Sequence, residues 1–314
     1  MNFAVWMGIA GLAATAVAAF PAVATADDDL PSRRLTDHVV IVSIDGLRPD
    51  AIGKFRMRTL QRLMREGSYT LNAQTILPSK TLPSHTSMLT GVDADVHGIT
   101  WNSDETDAHG HVDVPTVFGI AKSAGYETAA FFSKTKFHHL ETPETLDYVK
   151  SPHGGFFTGR YTWRRTVGYV EDYLESDAKA PNLMFVHIGE PDYAGHLYGW
   201  MSVVYHQAVL EADRAVAEII DEANDRFGGG NYTLIVTADH GGHGRDHGSS
   251  DPRDTTIPWI VWGQGVQAGV QLPAIRTMDT AATALWILGV TTPPDWIGKA
   301  VTGPFPGALM ATTE

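Results

Sequence analysis

His38-Val39-Val40-Ile41-Val42-Ser43-Ile44 runs straight into Asp45-Gly46. An apolar run with no polar alternation reads as a strand covered on both faces, as in a parallel sheet. In open parallel sheets ligands gather at the carboxyl ends of strands. An acid placed where such a run stops is therefore a candidate for chemistry. The same pattern recurs along the chain. Apolar runs at Tyr126–Phe132, Leu183–Ile188, Leu234–Thr237 and Ile257–Trp262 alternate with segments of helical period. The helical segments are Met57–Glu66, Pro115–Ala124, Tyr161–Glu175, Tyr205–Asn224 and Thr280–Leu288, and Gly67, Gly125 and Gly228 stand as stops beyond three of them. The alternation predicts an α/β fold: a central, mostly parallel sheet with helices on both faces, in three layers. Residues 133–165 break the rhythm and are rich in aromatic, His and Gly residues, which suggests an insertion over the active face.

The chain has 314 residues and a formal net charge of -13. That balance argues against a surface that coats a nucleic-acid polymer, which needs a basic face. With no cysteine there is no disulfide framework, no thiolate nucleophile and no sulfur-bound zinc. Any metal must be held by Asp, Glu or His. Residues 3–23 are apolar and small, and Ala24-Thr25-Ala26 follows as an A-x-A cleavage pattern. Residues 1–26 read as a secretory signal peptide, with an uncleaved anchor as the rival reading. Residues 27–314 are expected to form a single catalytic domain, periplasmic or secreted, with no stable membrane insertion once the leader is removed.

Three of the predicted strands deliver acids and imidazoles to one edge. The first ends at Asp45, the run from Leu183 leads into Glu190-Pro191-Asp192 with His196 beyond, and the run from Leu234 leads into Asp239-His240. Like charges gathered there repel and raise their own pKa values, and a cation is the simplest compensation. Oxygen and imidazole donors without sulfur suit zinc or manganese. Taken singly, each Asp is as readily a helix cap or turn former. A further motif spans Leu77–Gly91, in which Pro83 and Gly91 bracket a short helix with Thr81 near its N-terminus. A helix N-terminus can receive a phosphoryl group, and a hydroxyl placed there can attack phosphorus once its proton is removed. The plainer job for Thr81 is an N-cap.

These residues resemble the type I phosphodiesterase / nucleotide pyrophosphatase family of the alkaline phosphatase superfamily. The resemblance rests on VSIDGLRPD (Val42–Asp50), LPSKTLPSHTSMLTG (Leu77–Gly91), HGITWN (His97–Asn102), EPDYAGH (Glu190–His196) and ADHGGHGRDHG (Ala238–Gly248). It implies an alkaline-phosphatase-like fold and two divalent metal ions, usually Zn2+, with Mn2+ as the other option. Carried over, Asp45, Thr81, Asp239 and His240 would hold one ion, and Asp192, His196 and a third His the other. The third is His247 or His243, and His247 fits the compact branches better. The family pattern makes Thr81 the nucleophile of a phospho-threonine mechanism and Asn102 the donor to a phosphoryl oxygen. The implied substrate is a small phosphoester, cleaved by a phosphodiesterase or pyrophosphatase. Alternatives within the superfamily are a phosphomonoesterase, which needs an extra cationic clamp, and a phosphoethanolamine-type phosphotransferase. A non-catalytic metal-binding domain is the reading from another class. Leu82 departs from nucleotide-cleaving relatives, where the residue after the nucleophile is often aromatic and stacks on a base.

Overall fold

The computed structural model describes Met1, residues 34–153 and residues 159–309. The expected leader, Met1 apart, lies outside the described residues. Among these, eight strands form one sheet: β1 (Val39–Ile44), β2 (Ser68–Gln74), β3 (Thr128–Phe131), β4 (Tyr148–Lys150), β5 (Leu183–Ile188), β6 (Thr233–Thr237), β7 (Thr256–Gly263) and β8 (Val270–Gln271), in the order β4-β3-β5-β1-β6-β7-β2-β8. All six residues of β1 and of β5 are buried, as their unbroken apolar runs require. Each aliphatic side chain so removed from water contributes about 1.5–3 kcal/mol.

The helices fall on the two faces. The principal ones are α1 (Arg58–Glu66), α2 (Thr81–Thr90), α3 (Val117–Ser123), α4 (Trp163–Glu175), α5 (Glu190–Tyr198), α6 (Val203–Phe227) and α7 (Asp279–Ile287). α4, α5 and α1 pack around α6, while α2, α3 and α7 pack on one another. The result is the three-layer α/β architecture of the sequence reading. Gly67 does stop α1, but for reasons of space: its backbone is extended (φ -130°), and a Cβ there would lie 2.2 Å from the Val261 carbonyl.

Two elements differ from expectation. β7 runs antiparallel to both its neighbours, β6 and β2, while every other pairing among the described strands, β2 with β8 included, is parallel. A buried apolar run reads the same in either direction, so direction was not encoded in it. β2 (SYTLNAQ) buries Ser68, Thr70 and Ala73 and leaves the residues between them partly or fully exposed, so it holds no continuous apolar run and escaped a search for one. Residues 133–165 include the edge strand β4, paired in parallel with β3.

The register fixes where the chemistry emerges. β1 pairs with β5 from Val39↔Leu183 to Ile44↔Ile188, and with β6 from Val39↔Thr233 to Ser43↔Thr237. Three parallel strands thus end level with one another. The residues just beyond them, Asp45, the start of α5 and Asp239, come out side by side.

Candidate active site

Gly46 makes that convergence possible. It has φ +72°, and a Cβ on it would lie 3.0 Å from the Asp192 Cα. Only glycine lets the end of β1 turn this close beneath α5. Its N–H donates to Asp239 Oδ1 at 3.1 Å, and its carbonyl accepts from Trp200 Nε1 and Tyr205 Oη, each at 2.9 Å. One residue thereby ties β1 to β6 and to the end of α5.

Around this turn the donor atoms form two groups. In the first, His240 Nε2 lies 3.2 Å from Asp239 Oδ2, 3.5 Å from Asp45 Oδ1 and 3.4 Å from Thr81 Oγ1. In the second, Asp192 Oδ1 lies 3.3 Å from His196 Nε2 and 3.5 Å from His247 Nε2, and the two imidazole nitrogens are 3.1 Å apart. His240 and His247 stack with ring centroids 3.6 Å apart, joining the groups. Asp45, Thr81, Asp239 and His240 are fully buried, whereas the His196 side chain keeps 40% of its exposure.

The tautomers say what this arrangement lacks. His240 Nδ1 faces the Gly241 carbonyl at 2.8 Å, His247 Nδ1 the Ser79 carbonyl at 2.8 Å and His196 Nδ1 the Arg245 carbonyl at 3.0 Å. Each Nδ1 must therefore carry the proton, which leaves each neutral ring with a bare Nε2. Those lone pairs face Asp45 Oδ1, Asp192 Oδ1 and Asp239 Oδ2, three buried carboxylate oxygens without a hydrogen-bond donor. Lone pairs facing lone pairs in a buried space need positive charge between them. A divalent cation fits each group in number, type and placement of donors. Protons are the other remedy. Burial, and then Asp45, push the Asp239 carboxyl well above the usual range. With a second proton on Nε2, His196 would donate to Asp192, and that pairing raises its pKa. Burial, and then His247, hold His240 down to about 3, so its Nε2 stays a lone-pair donor at neutral pH.

Thr81 stands at the first helical position of α2. Its helix cap is Lys80, which makes no side-chain capping bond, so the Thr81 hydroxyl is not spent on capping. The Thr81 carbonyl accepts from His85 Nδ1 at 2.8 Å, and His85 Nε2 accepts from Ser43 Oγ at 2.8 Å. Asn102 lies against the same helix end. Its Oδ1 accepts from the Leu82 N–H and from Lys136 Nζ, each at 3.1 Å. With the oxygen twice engaged, the Asn102 amide N–H groups are the end left to donate. The structure thus brings together Asp45, Thr81, Asp192, His196, Asp239, His240 and His247, with Asn102 at the N-terminus of α2. It turns His243 away, to a 2.6 Å contact between Nδ1 and Asp254 Oδ1.

Three participants escaped the sequence reading. Lys134 Nζ donates to Asp45 Oδ2 and to Asp192 Oδ2, each at 2.6 Å. It bridges one carboxylate from each group, so the ammonium stays charged despite its burial. Burial alone would raise both acids; Lys134 holds them well below the usual carboxylate range, helped by His187 at Asp45 and by His196 at Asp192. His187, inside β5, donates from Nε2 to Asp45 Oδ2 at 3.0 Å and accepts from Ser133 Oγ at 2.7 Å. Lys136 is the third. Both lysines follow β3, at the same sheet edge as the acids, so the strand-end rule applied to Phe131–Lys136 would have reached them.

A sequence model of the type I phosphodiesterase / nucleotide pyrophosphatase family matches residues 39–248. A bis(5'-adenosyl)-triphosphatase of Xenopus laevis is 25% identical over 224 residues, covering 67% of this chain and 48% of that protein. GPI ethanolamine phosphate transferase 1 of Candida glabrata is 24% identical over 263 residues, covering 72% of this chain and 28% of that protein. The chain thus spans half or less of the length of these curated relatives. Among solved structures, an inactive threonine-to-alanine variant of murine ectonucleotide pyrophosphatase / phosphodiesterase 5, in complex with AMP, aligns with a TM-score of 0.70 at 16% identity. The alignment covers 84% of this chain and 96% of that one.

Proposed function

The chain belongs to the type I phosphodiesterase / nucleotide pyrophosphatase family, and we propose from this that it is an exported two-metal hydrolase of small phosphoesters, acting through a phospho-threonine on Thr81. The observation that carries the proposal is the meeting of three donor-less carboxylate oxygens with the bare Nε2 atoms of His240 and His247 beside the Thr81 hydroxyl. Asp45, Thr81, Asp239 and His240 would hold one divalent ion, and Asp192, His196 and His247 the other, zinc being assigned ahead of manganese. Such ions polarise phosphoryl oxygens and acidify a coordinated hydroxyl when bound.

The chain's own residues do the rest. The start of α2 presents Thr81 Oγ1 at a helix N-terminus, a natural seat for a phosphoryl group. The Thr81 oxygen bonds to phosphorus as the bond to the leaving alcohol breaks, and water then releases phosphate or a phosphomonoester and restores the hydroxyl. The Asn102 amide, pinned through its oxygen, offers N–H donors that need no reorganisation as charge grows on the phosphoryl oxygens. Leu82 offers no aromatic face, so base stacking by that residue is not part of the proposal. The AMP complex of the murine protein supports a small phosphoester ligand over a polymer.

The likeness to an ethanolamine phosphate transferase favours one second reading, in which the phospho-threonine is discharged to an alcohol instead of water. Added alcohol acceptors separate the two readings by the products formed. The main test uses the full chain reconstituted with zinc. Metal analysis should give close to two ions per chain, with turnover of bis-p-nitrophenyl phosphate and little of p-nitrophenyl sulfate. Thr81→Ala should abolish turnover while keeping most of the metal, and wild-type rates in that variant would remove Thr81 from the reaction.

A further inference from the structure

Lys136 stands apart from the other charged groups of the site. Its ammonium, half-buried, donates to the neutral oxygen of Asn102 at 3.1 Å. Among the described residues no carboxylate lies within ion-pair distance of it, since Asp45 and Asp192 each give Oδ2 to Lys134. Desolvation and the neighbouring Lys134 both disfavour its charge and bring its pKa down to about 8, so it is still cationic at pH 7. A partly desolvated cation with two N–H donors to spare and no protein anion is poised for an anion from outside. It touches the residue that lies at the N-terminus of α2, where a phosphoryl group would seat.

We propose that Lys136 is the charge-selecting residue of this site: it binds the third non-bridging oxygen of a dianionic phosphoryl group, giving the enzyme a phosphomonoesterase activity beside its diesterase activity. The inference rests on the phosphoryl-transfer reading above. A diester carries two non-bridging oxygens and one negative charge; a monoester carries three oxygens and two charges at neutral pH. Asn102 and the helix N-terminus can serve the two oxygens common to both classes. Lys136 is the additional fixed cation that a monoester requires and a diester does not. The net reaction is ROPO3 2− + H2O → ROH + HPO4 2−. The P–OR bond breaks with its electron pair leaving on the alkoxide oxygen, a new P–O bond forms to the water oxygen, and one water proton ends on the alcohol.

The test compares wild type, Lys136→Gln and Lys136→Arg as zinc-loaded full chains at pH 7. The readouts are kcat/KM for p-nitrophenyl phosphate and bis-p-nitrophenyl phosphate, and inhibition by inorganic phosphate. Losing a hydrogen bond to a charged group costs about 10- to 100-fold. The ratio of monoester to diester kcat/KM should therefore fall by about 10- to 100-fold in Lys136→Gln, phosphate inhibition should weaken to a like degree, and Lys136→Arg should restore most of both. An unmoved ratio overturns the proposal. So does an equal loss on both substrates, which would make Lys136 a positioning residue acting through Asn102. If wild type turns over neither ester, the phosphoryl-transfer reading fails instead, and calorimetric titration of the zinc-loaded chains with phosphate still decides the role of Lys136. Metal content and thermal midpoint establish folding; Lys136→Met replaces the glutamine variant should that one fail to hold metal.

Discussion

Two histidines four residues apart in one glycine-rich loop have opposite fates. His247 directs Nε2 to Asp192 and His196, while His243 is fastened to Asp254. On the proposed assignment, His247→Ala should lower bound zinc from two ions per chain towards one, and His243→Ala should keep both; elemental analysis of the two proteins decides. The types of residue needed at this site were legible in the sequence, because acids and imidazoles at strand ends are few and stand out. The choice between the two histidines was not, because it depends on which carbonyl each Nδ1 meets after folding. Ser79 captures His247 across 168 residues of chain. The place of Lys134 and Lys136 just beyond a strand end was legible, but what their ammonium groups meet was not. A lysine in sequence carries no sign of whether it will be solvated or set against two buried carboxylates.

At the scale of elements, α2 is the part most dependent on its surroundings. Every residue from Thr81 to Thr90 is buried, and two of the polar ones, Thr86 and Ser87, meet imidazoles held neutral. Ser87 Oγ accepts from His97 Nε2 at 3.0 Å, and His97 Nδ1 accepts from the Ile99 N–H at 3.0 Å. Thr86 Oγ1 pairs with His139 Nε2 at 2.9 Å. Burial draws the His97 pKa down to about 4, against a small opposing pull from Asp93. The folded state then binds its proton less readily than the unfolded state. The stability this provides is complete above about pH 6.5 and is lost as pH falls towards 4, where it amounts to about 3 kcal/mol. Urea unfolding of chelator-stripped protein should show that decline, and His97→Gln should flatten it by about that amount. The helix itself was readable from Pro83 and Gly91, the latter an αL cap at φ +66°. Its total enclosure was not, because a polar sequence such as TLPSHTSMLT gives no periodic signal of burial. The same limit concealed β2, whereas β1 and β5, apolar but for Ser43 and His187, were plain.

At the scale of the whole molecule, the five parallel strands from β4 to β6 hold the site, and the reversed β7 joins them to the parallel pair β2 and β8. Among the described residues no helix is long and apolar enough to cross a membrane. The two donor groups are unequally hidden. Asp45, Asp239 and His240 have no contact with solvent, while His196 stands at the mouth. A chelator meets the outer donors first. On the proposed assignment, stripping at pH 7 should thus proceed in two phases: a fast loss of the ion assigned to Asp192, His196 and His247, then a slow one that waits on opening of the fold. Stopped-flow release into a zinc indicator reads both rates. A single rate for both ions would mean that burial does not govern escape. In a zinc-poor medium the chain would then persist in a half-loaded form, inactive yet already folded around its inner ion, and ready to resume work as soon as one ion arrives from outside.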